Sequence, residues 1–213
     1  MRELMSEFKA LRLHGMAGAW EELSTNGGAG IETSRWLIEH LLQAERTDRV
    51  MRSIGYQMHA ARFPVHRDLA GFDFEQSKVD QKLIRQLADL SFTEEAQNVV
   101  FIGGTGTGKT HLATALALAA CLQGRKVRFF RVTELIALML EARDDKQLLK
   151  FRSQLAKLDL VVLDELGYVP ASKAGAELLF DVIGAAYERH SLVVTTNLSF
   201  EHWTEVLGSE RLT

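Results

Sequence analysis

The sequence predicts an α/β fold: a parallel sheet covered by helices on both faces, in three layers, with a small helical region ahead of it. Three observations carry that prediction. From Val99 onward, short apolar runs alternate with longer segments of helical character. The stretch Gly103-Gly104-Thr105-Gly106-Thr107-Gly108-Lys109-Thr110 joins one of those runs, Val99 to Ile102, to one of those helices, His111 to Leu122. Up to about Phe63, by contrast, the chain reads as helix.

Taken in order, Leu4, Phe8, Leu11 and Leu13 recur at near-helical spacing, Gly15 interrupts, and a second short helix is predicted from Met16 to Leu23. The cluster Ser24-Thr25-Asn26-Gly27-Gly28-Ala29-Gly30 is a loop. Thr33 or Ser34 then caps a long helix with Trp36, Leu37, Leu41, Val50, Met51, Ile54 and Met58 as its apolar stripe. Phe63-Pro64 ends it. Residues 65–77 have little periodicity and form a linker, whose Phe72 and Phe74 either lie over an adenine or act as a simple hydrophobic anchor. Val79 to Leu90 is an amphipathic helix.

After the glycine-rich turn, Lys126 to Phe130 is a second strand. Two helices follow, Val132 to Ala142 with a cap near Thr133, and Asp144 to Lys157. Leu158 to Glu165 is a third strand ending in two acids, Ser172 to Arg189 a helix, Leu192 to Asn197 a fourth strand, and Phe200 to Leu207 a short helix.

Length and composition bound the possibilities. At 213 residues, with 46% hydrophobic and 25% charged residues, the chain suits one medium α/β domain plus a small accessory piece. The lone cysteine, Cys121, lies in an apolar helix, which excludes a disulfide framework and reads as core packing. No apolar stretch reaches membrane-spanning length, so no membrane partner is expected and a cytoplasmic location is. A formal charge of −3 neither suggests nor excludes nucleic acid.

The glycine-rich stretch carries the chemistry. A strand, a glycine turn and a helix in that order form a phosphate cradle, because glycines permit left-handed backbone angles and the helix start offers free N–H groups. Lys109 would reach the β- and γ-phosphates and the Thr110 hydroxyl would ligate Mg²⁺. Asp164 and Glu165 end a buried strand at the same sheet edge, where carboxylates serve a cation or a water. Asp164 is placed to hold Mg²⁺ through its hydration shell, and Glu165 to deprotonate the attacking water. Asn197, closing the next strand, can donate to a γ-phosphate or hold the lytic water without adding charge.

Elsewhere, Arg46, Arg49 and Arg52 sit three apart on one helix. They either follow a phosphate backbone or pair with nearby acids such as Glu45 and Asp48. His40, His59 and His66 lack metal-site spacing.

Together these parts resemble the AAA+ ATPases, with Walker A at Gly103 to Thr110, Walker B at Leu160 to Glu165 and sensor 1 at Asn197. Within that superfamily, the stretches from Gly103 to Ala113, Leu163 to Tyr168 and Val193 to Phe200 are similar to the IstB-like ATP-binding proteins. These are helper ATPases encoded beside the transposase in a class of bacterial insertion sequences, and relatives of the DnaC-type helicase loaders. The likeness extends to the junction Ala61-Arg62-Phe63-Pro64.

The resemblance implies a helical DNA-binding region at 1–64, a linker at 65–77 and an AAA+ core at 78–213. It implies a cradle from Gly103 to His111 for ATP with Mg²⁺. It also implies double-stranded DNA, a transposase and further copies of the chain as partners, with hydrolysis as the reset. Arg46, Arg49 and Arg52 gain weight as DNA contacts. The helix between the second and third strands is similar to the insertion of the initiator and loader clade, making Arg143, Lys146, Lys150 and Arg152 a second candidate set.

The family continues past the point where this chain stops, through a fifth strand, an arginine finger and a helical lid with sensor 2. Arg211 belongs to the region leading to the finger. The expectation is therefore a C-terminally incomplete core with the phosphate-loop strand at a sheet edge, weak nucleotide binding, poor hydrolysis and incomplete assembly. The alternatives are a DnaC-like helicase loader and a P-loop small-molecule kinase, the latter disfavoured by the adjacent Asp164-Glu165 pair and Asn197.

Overall fold

The computed structural model describes residues 2–25, 31–168 and 172–208. The chain divides into two compact units, 1–53 and 54–213. The division falls within a helix, ahead of residue 64, because Met58, Ala61 and Phe63 already pack into the core of the second unit.

The first unit contains α1 (Arg2–Ala10), α2 (His14–Thr25) and the start of α3 (Ile31–Ala61). Its core is Leu4, Phe8, Leu11, Ala17, Trp20 and Leu42, with Ile38 packed against it. Two expectations for α3 are corrected. The helix starts at Ile31, which leaves Thr33 and Ser34 inside it rather than at its cap. Trp36, Leu37, Leu41, Val50 and Met51 are all exposed, and the buried row runs through Ile38 and Leu42 instead. Two short helices can cover only one i,i+4 row of a long one, and the sequence does not say which row they take. The glycine-rich cluster from Asn26 to Gly30 and Arg211 lie outside the described residues.

The second unit is the sheet and its helices. Asp80 caps α4 (Gln81–Ala88), its carboxylate accepting from the N–H groups of Lys82 and Leu83 at 2.8 and 3.3 Å. The short α5 (Ser91–Glu94), absent from the sequence reading, has too few residues to show a period. There follow β1 (Val99–Ile102), α6 (Lys109–Leu122), β2 (Val127–Arg131), α7 (Val132–Asp144), α8 (Leu148–Leu155), β3 (Leu160–Leu166), α9 (Lys173–Ala186), β4 (Ser191–Thr196) and α10 (Trp203–Leu207). Thr133 lies inside α7 rather than capping it.

α7 and α8 part at Lys146, which takes a left-handed φ of 58°. The Lys146 N–H donates to the Arg143 carbonyl at 3.1 Å and the Gln147 N–H to that of Ala142. That is a Schellman ending with lysine where glycine is usual, and it sets the expected break between the two helices a few residues later than Arg143.

The four strands are all parallel, in the order β1-β4-β3-β2, with β1 at one edge. Alternation along β3 builds a layer on each side. Val161 and Leu163 meet Leu135 and Met139 of α7 and Leu178, Leu179 and Val182 of α9. Leu160 and Val162 face the opposite side, with Ala113, Ala117, Ala120 and Cys121 of α6. Small side chains along α6 let it approach the sheet closely. Among the described residues, no helix is long and apolar enough to cross a membrane.

Cys121 is fully buried, and burial pushes its thiol up to about 11. The expected outcome is no reaction with a thiol reagent at pH 8 in the native protein and complete reaction after denaturation, read by absorbance.

Parallel order brings every strand's carboxyl end to one edge. Ile102 runs into the glycine-rich turn there, Arg131 stands in register with Asp164, and Thr196 with both Ile102 and Leu166. The chemistry-bearing residues from Gly103 to His111 therefore share an edge with Asp164, Glu165 and Asn197.

Candidate nucleotide site

The turn from Gly103 to Gly108 is shaped by left-handed glycines: Gly106 at φ 78° and Gly108, the N-cap of α6, at φ 89°. The first bond of the helical ladder is Leu112 N–H to the Gly108 carbonyl at 2.9 Å. The N–H groups of Lys109, Thr110 and His111 precede that ladder and form the donor end of the helix. Lys109 curls over the turn, its Nζ donating to the carbonyls of Gly103 and Gly104 at 2.7 Å each. Thr107 Oγ1 donates to the Gly104 carbonyl at 2.9 Å and closes the loop.

Asp164 is buried at the end of β3, and its Oδ1 accepts from Thr110 Oγ1 at 2.9 Å and from Thr195 Oγ1 at 2.6 Å. A hydroxyl and a carboxylate in contact, both hard oxygen donors, fit Mg²⁺. Among the described residues, no group of three His, Cys, Asp or Glu could hold a metal ion.

Glu165 opens onto a niche of about 130 Å³ that it lines with Thr105, Lys109, Thr110, Thr195 and Asn197. Thr196 holds the turn carrying Asn197, donating to the Leu166 carbonyl at 2.7 Å while accepting from the Leu198 N–H at 3.1 Å. Arg131, absent from the sequence reading, brings Nε to 3.8 Å from Glu165 Oε2. Its position directly after the second predicted strand, expected to end at Phe130, is the signal that could have suggested it.

The linker joins the same site. Phe72 lies so close to Gly108 that a Cβ there would come within 2.5 Å of Phe72 Cε2. Its ring meets Phe74 and His111 edge-on, at 4.8 and 5.2 Å between centroids. His111 Nε2 donates to the Asp68 carbonyl at 2.7 Å, so its ring holds the linker while its backbone N–H stays with the helix start. Between linker and turn is a cavity of about 790 Å³, lined in its apolar part by Phe72, Val79, Phe101 and Ile102. It shares Gly106 and Lys109 with the niche beside Glu165.

Gly108→Ala meets both obstacles, a strained φ and the Phe72 ring. The expected outcome is a melting temperature lower by several degrees, for a cost of about 1–2 kcal/mol. Nucleotide affinity is expected to fall with it, read by calorimetric titration.

The candidate DNA contacts divide by their partners. Arg46 Nη1 pairs with Glu7 at 2.8 Å, Arg49 Nε with Glu45 at 2.5 Å, and Arg52 Nε with Asp48 at 2.7 Å. Arg49 also donates to the Leu11 carbonyl at 2.9 Å. In the second set, Arg143 touches Asp144 at 3.3 Å and Arg152 pairs with Asp181. Lys146 and Lys150 are exposed, and no carboxylate among the described residues pairs with either.

The parallel sheet, the glycine-capped α6 and the facing Asp164 define a P-loop nucleotide-binding protein of AAA+ architecture. The chain belongs to the IstB-like ATP binding protein family, whose profile matches residues 6–213. It is 37% identical over 172 residues to the ATP-binding protein of insertion sequence IS21 from Pseudomonas aeruginosa, covering 80% of this chain and 65% of that protein. It is 32% identical over 215 residues to that of insertion sequence IS5376 from Geobacillus stearothermophilus, covering 100% of this chain and 85% of the relative. Among solved structures, the DnaC helicase loader superposes with a TM-score of 0.56 at 25% identity, over 74% of this chain and 92% of the loader. The chain thus spans just under two thirds of the length of the IS21 relative.

Proposed function

We propose that this protein is an ATP-hydrolysing helper of transposition, which binds duplex DNA and assembles with ATP, recruits or stimulates a transposase in the cytoplasm, and resets on hydrolysis. The observation that carries the reading is the contact of Thr110 with Asp164, which joins the phosphate turn to the acidic end of β3, in a chain whose relatives come from insertion sequences.

In this reading the apolar cavity beside Phe72 takes the base, and the N–H groups from Gly106 to His111 donate to the phosphates. Lys109 exchanges the carbonyls of Gly103 and Gly104 for phosphate oxygens. Mg²⁺, held by the Thr110 hydroxyl and through water by Asp164, would neutralise charge on the phosphates. Glu165 takes the proton of the attacking water, and the Asn197 amide aligns that water or donates to the γ-phosphate.

For DNA, free cations matter most, since a paired arginine must give up a carboxylate before it meets a phosphate. The reading therefore leans on Lys146 and Lys150, with Arg143 and Arg152 beside them and Arg46, Arg49 and Arg52 as contacts that exchange partners.

The test is binding to long duplex and to single strands, with and without ATP. The expected outcome is ATP-dependent duplex binding that weakens with salt, and in Lys146→Glu/Lys150→Glu a shallower salt slope by about two units. Single-strand preference, or binding only after a replicative helicase is added, contradicts the reading and favours a loader. The likeness to the DnaC loader gives that second reading its support.

A further inference from the structure

β3 and β4 pair in register from Leu160 with Ser191 to Leu163 with Val194, and again where Leu166 meets Thr196. Between those points β3 has Asp164 and Glu165 and β4 has only Thr195. The extra residue is a β-bulge. A regular strand would send Asp164 and Glu165 to opposite faces of the sheet. Here Glu165 instead takes φ 62°, a left-handed conformation that a side chain adopts only when its surroundings hold it there. Asp164 thereby meets Thr110 while Glu165 opens onto the niche with Asn197.

One side chain bonds to both residues of the bulge. Thr195 is buried, and its hydroxyl accepts from the Glu165 N–H at 3.0 Å while donating to Asp164 Oδ1 at 2.6 Å. A hydroxyl has one proton to give, so donation to Asp164 fixes its rotor and leaves a lone pair for Glu165. Neither Thr110 nor Lys109 reaches the Glu165 backbone in this way.

We propose that Thr195 is a positioning residue for hydrolysis: its hydroxyl stabilises the bulge that turns Asp164 and Glu165 to a common task. The inference rests on the nucleotide reading above. Thr195 acts here through the two acids that its hydroxyl bonds, Asp164 and Glu165. Its loss leaves the phosphate turn intact and loosens the two acids.

The test compares Thr195→Val, nearly equal in volume but without the hydroxyl, with Thr195→Ser, which keeps it. A fluorescent ATP analogue reports affinity in EDTA and in Mg²⁺, and phosphate release reports turnover. Thr195→Val is expected to keep its Mg²⁺-free affinity within about twofold, to lose most of the gain in affinity from Mg²⁺ with KM rising in step, and to lower kcat about tenfold or more. Thr195→Ser is expected to recover most of both losses.

A Thr195→Val protein with undiminished Mg²⁺ gain and kcat overturns the proposal, as does a Thr195→Ser protein no better than Thr195→Val. If Thr195→Val fails to fold, Thr195→Ala against Thr195→Ser makes the same comparison, with the same outcomes for and against. A wild-type protein with no saturable nucleotide binding overturns the nucleotide reading and this inference together. Normal binding with unaltered Thr195→Val behaviour overturns this inference alone.

Discussion

Glu165→Gln is expected to bind ATP as the wild type does and to turn it over about 10²–10⁴-fold more slowly, the usual worth of a positioned general base. The amide keeps the size of the side chain but cannot take a proton from water. Glu165 lines the niche beside Lys109, Thr110 and Asn197, and its backbone N–H, which the substitution leaves alone, bonds to Thr195. The loss should therefore fall on kcat with KM little changed. With the duplex binding proposed above, the variant is also expected to dissociate more slowly from duplex in excess ATP. A Glu165→Gln protein that releases phosphate at the wild-type rate would remove Glu165 from the chemistry.

Lys109→Ala has the larger effect on binding. Among the described residues the ammonium bonds only to carbonyls of its own loop, at 2.7 Å, and is thus available to a phosphate that offers a stronger, charged acceptor. Removing it forfeits two charge-assisted hydrogen bonds at about 1.5 kcal/mol or more each, so affinity for ATP should fall about a hundredfold. Folding should be nearly unaffected, because Thr107 still closes the loop. Calorimetric titration and a thermal melt on the same sample separate the two effects.

Most of the second unit was legible because its physics is local. β3 and β4 are buried on both faces and read as unbroken apolar runs, and a glycine turn between a strand and a helix has few other uses. The acids near the end of β3 stand out in the sequence because charge at the end of a buried strand needs a reason. The bulge was not legible: it depends on how Thr195 pairs across the sheet, and nothing in the run from Leu160 to Leu166 announces it. The break between two helices after β2 was legible but placed at Arg143, a few residues early, since the backbone at Lys146 is fixed by bonds to Ala142 and Arg143 rather than by a glycine.

The first unit was harder. The exposed row of Trp36, Leu37 and Leu41 is as apolar as the buried row of Ile38 and Leu42, and only the packing of α1 and α2 chooses between them. The pairing of Arg46 with Glu7 joins residues far apart in sequence, which helical spacing cannot foresee. Pairing of Arg49 and Arg52 with acids four residues earlier was one of the alternatives the spacing left open.

The most direct test of the central claim is a titration of ATP into the wild-type protein with and without Mg²⁺, followed by calorimetry. The expected result is one saturable site per chain that is tighter with Mg²⁺. Absence of saturable binding, or equal affinity in Lys109→Ala, would contradict it.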